Sequence, residues 1–376
     1  MILWREGRLT RVVREWQGAV EYEAQVLDPA GRVARTCRAL AYPELVGRPR
    51  PGELVLLNTT ALDLGLGTGG YAMVTAVPGR LPVSDHLGPG HLVKGRYTPQ
   101  QAVVLGVDEQ DSPHHDTLAD ADDLFAMPVV VADLHSALPA VVAGVRAGRP
   151  GVRGAYVMTD GGALPAWFSM TVAALREAGW IDCCITTGQS FGGDLEAVSV
   201  HTGLLAAQRV RGADVAVVVQ GPGNLGTGTR WGFSGVAAGE AVNAAAILGG
   251  RPVAALRVSG ADPRPRHQGV SHHSLTAYGR VALAPADVVV PELSPTLGEL
   301  STQMLEQVAQ LVVPRGLHRL VSVSTDGLLE ALRACPVRLS TMGRGLDDDP
   351  AAFLASAAAG RHAATLLATA TATGPG

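Results

Sequence analysis

Asp133 and His135 stand two residues apart at the end of a short apolar run, MPVVVADLH. Asp160 ends a second such run, and His267, His272 and His273 crowd one later loop. Carboxylates and imidazoles together suit a divalent ion such as zinc, manganese or iron, and they also suit acid–base work. If a strand runs through Asp133 and His135, alternate residues share a face and both reach one ion. Asp133, His135, Asp160, His267 and His272 are therefore the expected metal ligands, with Asp133, His135, Asp160 and Lys94 as the expected catalytic groups. His201 lies in a helical stretch that could pass nearby. The plainer expectation is that Asp133 caps the following helix while His135 bonds backbone.

A second group of residues suits an anion. GPGNLGTGTRWGFSG, from Gly221 to Gly235, follows an apolar run and offers free N–H groups beside Arg230. Gly221, Gly223, Asn224, Gly226, Thr227, Thr229 and Arg230 are the expected ligand contacts there. The first part fits G-x-G-x-x-G, but no helical period begins until about Ser234. A dinucleotide loop needs its helix to start inside the motif, so no nicotinamide cofactor is expected. Lys94 is the single lysine of the chain, against 29 arginines. An ammonium differs from a guanidinium in size, hydration and proton affinity, so the exception points to a site. In GHLVKGRYTPQQ, strand alternation would put Lys94 and Arg96 on one side, a costly arrangement unless an anion lies between them. Tyr97, Asn58 in NTTALDLGLGTGGY and Ser190 in GQSFGG complete the expected ligand set.

These groups need a frame. Residues 1 to about 105 read as short strands separated by Gly and Pro turns, a small barrel or sandwich. The polar stretch 106–126 reads as an inter-domain loop, with His114 and His115 among acidic residues, a second polar cluster where sites often lie or, more plainly, a solvated surface. From 127 to 350, apolar strands alternate with Ala- and Leu-rich helices. That pattern means a doubly wound, mostly parallel, three-layer α/β domain. Ligands bind outside the carboxyl ends of such strands, and every loop singled out above falls there. Residues 351–376 read as a short helix and a frayed tail.

Composition narrows the function. The formal net charge is −4 and no basic stripe appears, which disfavours nucleic acid as a partner. The first residues, MILWREGRLT, carry charges where a signal peptide needs an apolar core, and no run reaches the about 20 apolar residues of a membrane span. A cytoplasmic protein is expected, with a second copy of the chain left open as a partner. The four cysteines form neither a zinc pattern nor a disulfide framework.

The stretches LLNTTALDLGLGTGGY, GHLVKGRYTPQQ and GPGNLGTGTRWGFSG together resemble an uncharacterised bacterial family of unknown function. The resemblance implies one full-length unit and brings no activity with it. On the residues alone, the leading expectation is a hydrolase or group transferase. It acts on a small anionic, phosphorylated or nucleotide-like ligand in an inter-domain cleft, with or without a metal. The alternative is a non-catalytic sensor that binds the same ligand.

Overall fold

Buried apolar residues recur at alternate positions in the first strands, and this alternation rolls them into a barrel. In the computed structural model the strands are β1 (Trp4–Trp16), β2 (Ala19–Leu27), β3 (Val33–Ala41), β4 (Leu54–Asn58) and β5 (Tyr71–Ala76). They close in the order β1-β2-β3-β5-β4, because β4 pairs with both β5 and β1. Leu9, Val20, Tyr22, Ala24, Leu57 and Val74 fill the interior. The barrel also buries one charge, Glu21. Burial opposes that charge, but Arg38 and Tyr71 donate to the carboxylate and Arg14 pairs with it at 2.6 Å, so its pKa lies below the usual range. A hairpin of β6 (Leu92–Lys94) and β7 (Ala102–Val104) follows.

The structure describes residues 2–66, 69–82, 88–312 and 316–370. They fall into two units, Met1–Val104 with Trp167–Ala173, and Leu105–Ala166 with Ala174–Gly376. The second unit begins with the polar stretch. Its Val107, Leu118 and Leu124 enter the α/β core, and Gly106 bridges to Glu196.

The second unit is built on strands that are apolar throughout, as a sheet covered on both faces requires. They are β8 (Pro128–Val131), β9 (Gly154–Thr159), β10 (Cys183–Thr186), β11 (Leu195–Glu196), β12 (Val215–Gln220) and β13 (Arg251–Ala255). A small ladder of β14 (Val258–Ser259) and β15 (Gly269–Val270) precedes β16 (Asp287–Glu292) and β17 (Arg319–Ser324). The eight-stranded sheet runs β11-β10-β9-β12-β8-β13-β16-β17, and every pairing in it is parallel. A last ladder joins β18 (Ser340–Thr341) to β19 (Arg344–Gly345).

The helices α1 (Leu138–Gly148) and α2 (Pro350–Ala370) pack together on the sheet. Glycines set their approach: a Cβ at Gly144 would collide with the Ala357 backbone, and one at Gly360 with the Val141 carbonyl. This last helix is longer than the short one expected. Alanine has the highest helix propensity, and Ala355, Ala357, Ala358, Ala359 and Ala363 are wholly buried against their neighbours. Residues 371–376 lie outside the described residues.

Candidate active site at the carboxyl ends of the sheet

The connection from β8 leads across β12 to β9, while the connection from neighbouring β13 leads the other way to β16. Adjacent strands whose connections part leave a crevice at their carboxyl ends, the usual ligand position in open α/β sheets. Asp133 follows β8 and Arg257 follows β13, so both stand at this point. Asp133 is 2% exposed, and its Oδ2 has no hydrogen-bond partner among the described residues. Burial pushes its carboxyl pKa up, and the positive charge of Arg257 opposes the shift. Arg257 is itself pulled below its usual value by desolvation. The Asp133 carbonyl accepts a 2.6 Å hydrogen bond from Gln220 Nε2, and Gln220 Oε1 accepts one of 2.7 Å from Ser234 Oγ. Gln220 thereby ties the loops after β8 and β12 together.

A cavity of about 30 Å³ lies against Asp133 and Arg257, with Ser136, Ser259, Thr341 and Arg344 around it. That is room for one or two waters. A wider groove of about 610 Å³ opens beside Ser259, lined also by Gly260, Gln268 and Gln303. Its size falls within the ordinary range for small-molecule sites, about 300–1,000 Å³.

The segments after β14 and β15 bring three imidazoles together. The ligating atoms of His267, His272 and His273 all lie within 4.8 Å of one another. His273 stacks on Phe233 at 3.8 Å between ring centres, and His267 Nδ1 lies 2.8 Å from Ser271 Oγ. His272 Nε2 and His273 Nδ1 are buried and have no hydrogen-bond partner among the described residues. Desolvation lowers all three, His267 and His273 to about 3, and the charge of Arg257 lowers each further.

Around them runs a lattice of ion pairs. Asp262 is buried and pairs with Arg264 at 2.8 Å and Arg344 at 3.1 Å. Arg344 also reaches Asp349 at 3.1 Å, and Ser259 Oγ donates to Asp349 at 2.5 Å. Hydrogen bonds from Arg264 hold the Asp262 carboxyl far below the usual range. Arg266 and Arg230 add positive charge toward His272. The result is an excess of guanidinium over carboxylate at the crevice of a chain that is negative overall.

Several expectations change against this geometry. β8 ends at Val131, so strand alternation does not extend to Asp133 and His135. Asp133 stands in the field of Arg257, whereas His135 begins a 3₁₀ turn and approaches the Tyr156 hydroxyl at 3.2 Å. Desolvation lowers His135 to about 4. Asp160 is exposed and accepts the Gln189 N–H at 2.8 Å. Among the described residues the convergent ligand group is His267, His272 and His273, without Asp133, His135 or Asp160. His201 is exposed on the helix Val200–Leu205.

Lys94 is buried at the end of β6, in the unit that holds the barrel. Gly95 and Tyr97 then turn the chain with positive φ, so Arg96 is exposed where Lys94 is not, and the two do not share a strand face. Tyr97 is 89% exposed. Asn58 Oδ1 accepts the Thr60 N–H, and the Ser190 hydroxyl donates to the carbonyls of Met158 and Thr187, so both hold turns. Gly67 and Thr68 of the Asn58 loop lie outside the described residues.

In the glycine-rich loop a Cβ at Gly221 would crowd Met158 and the Ala163 carbonyl, and Gly223 takes positive φ. Gly226 bridges to Phe233, Thr227 and Thr229 approach each other at 3.2 Å, and Asn224 and Arg230 are exposed. Helix begins only at Ser234. Sequence reasoning passed over Arg257, Asp262, Arg344 and Asp349. A lone arginine inside the apolar run VAALRVSG was the signal that could have found the first.

Residues 38–360 match the family described as Protein of unknown function (DUF3866). The chain belongs to that family. The match spans β4 to β19 and every residue of the crevice. No curated protein and no solved structure matches the chain. No helix among the described residues is long and apolar enough to cross a membrane.

Proposed function

We propose that the chain is a hydrolase of small anionic substrates, working at the crevice where β8 and β13 part. The observation that carries this reading is the buried carboxyl of Asp133 beside Arg257 at that point. A carboxyl pushed upward by burial is suited to take a proton near neutral pH. The cationic excess of Arg257, Arg266 and Arg230 suits a phosphate or carboxylate group. The adjoining groove has room for such a molecule, and the small cavity has room for the attacking water.

In this reading the water oxygen attacks the electrophilic centre of the substrate while its proton passes to Asp133. The bond to the leaving group breaks, and Asp133 returns the proton to the departing oxygen. Arg257 holds the anion and stabilises the charge that builds up in the transition state.

The test is a turnover screen of phosphate esters, nucleotides and carboxylate esters on the full chain. Asp133→Asn should lose about 10²–10⁴-fold of any activity found, the usual share of a general base. Activity should fall as pH drops through the raised pKa of Asp133, because the base must be unprotonated. Turnover undiminished in Asp133→Asn overturns the assignment.

A further inference from the structure

Three neutral imidazoles in one cluster need an explanation of their own, since two of them keep a buried nitrogen without a hydrogen-bond partner among the described residues. An unpartnered buried polar atom costs about 1–3 kcal/mol, so a fold that keeps two of them side by side points to a group that satisfies both. We infer that His267, His272 and His273 form a centre for one first-row divalent ion of the zinc type, with at least one coordination position left for water or an exogenous anion.

The donor chemistry fits. Neutral imidazole is a preferred ligand for zinc, copper, iron and nickel, and three protein ligands with an open position is the arrangement of catalytic rather than structural zinc. Zinc–nitrogen bonds of about 2.0–2.1 Å put tetrahedral ligands about 3.3 Å apart. The ligating atoms now lie within 4.8 Å of one another, so binding an ion must draw them inward. Orientation is already supplied. Ser271 Oγ stands 2.8 Å from His267 Nδ1, which turns Nε2 of that ring outward as a ligand, and Phe233 stacks on His273. A hydrogen-bond partner such as Ser271 normally fixes the ring and tautomer of a ligand imidazole, and stacking such as that of Phe233 restrains only the ring plane.

The surrounding charge shapes what the ion would carry. Arg257, Arg264, Arg266 and Arg230 oppose added positive charge at the cluster, and Asp262 offsets it at His267. An anion on the open position, hydroxide or the substrate's own acid group, neutralises that field. The centre does not depend on the hydrolase reading: it stands if no substrate is found, and the Asp133 role stands if no ion binds.

The experiment is titration of the chelator-treated full chain with cobalt(II) and zinc. Cobalt should give visible d–d bands of a low-coordinate site at one equivalent, and zinc should bleach them. His272→Ala and His273→Ala should each weaken binding at least tenfold, while His201→Ala, on an exposed helix position, should not. If either cluster variant fails to fold, His272→Gln, which keeps the size and loses the imidazole, gives the same reading. Absence of a cobalt spectrum in the wild type overturns the inference. So does equal affinity in wild type and folded cluster variants.

Discussion

At the scale of single residues, acid should unfold this protein through its imidazoles. His267 and His273 are held to about 3 and His135 to about 4, against about 6.5 for the unfolded chain. Above pH 6.5 both states leave these rings neutral. Below it the unfolded chain takes up protons that the folded chain refuses, so stability falls as pH drops from about 6.5 toward 3. Each ring accounts for up to about 1.4 kcal/mol per pH unit in that window. In the chelator-treated chain His273→Leu should therefore flatten the loss between pH 6.5 and 4.5, as measured by urea unfolding. A variant that loses as much stability as the wild type over that interval contradicts the account. The imidazoles themselves were legible, because their spacing in SHHS and PRHQG is unusual. Their grouping was not. The sequence pattern offered Asp133 and His135 as a pair on a continuing strand, whereas β8 stops at Val131 and the two side chains go to different partners. Asp349 lies 90 residues from Ser259 and Arg344 lies 82 from Asp262, and no local pattern could have joined those pairs.

At the scale of elements, the rim depends on two helices that touch through glycine. α1 leaves from the Asp133 loop, and α2 crosses it where Gly144 and Gly360 carry no side chain. Gly144→Leu should destabilise by about 1–3 kcal/mol or more, since a close-packed contact has no room for it. Gly298→Ala, at a helix start where nothing lies within 4 Å, should leave stability unchanged or raise it slightly. Chemical denaturation of the two variants checks this, and an equal effect would show that the helix contact is not tight. Strand order in the second unit was legible only as a class. Runs such as PVVV and VAVVVQ announce a parallel sheet covered on both faces, and their polar ends mark the rim. Nothing in them says that β12 inserts between β9 and β8, or that β13 lies on the other side of β8, where their parting connections make the crevice. The length of the last helix was not legible, because an Ala- and Thr-rich run looks weak until a partner surface buries it. The barrel was legible as short alternating strands, but its closure through β1 and β4 depends on register and not on composition.

At the scale of the whole molecule, a chain of net charge −4 gathers Arg257, Arg264, Arg266, Arg230 and Arg344 around one crevice of its α/β unit. Arg264 and Arg344 pair with Asp262 and Asp349, Arg257 faces Asp133, and Arg266 and Arg230 add positive charge toward His272. Local cationic excess in a negative protein draws small anions to one place, and it does so less at high salt. This crevice should bind an anion through Arg257. Isothermal titration of the full chain with inorganic phosphate and pyrophosphate, at low and moderate salt, measures it directly. Saturable binding that weakens with salt, and weakens at least tenfold further in Arg257→Gln with the fold intact, is the expected result. Binding of equal strength in the wild type and Arg257→Gln, or none in either, would contradict it.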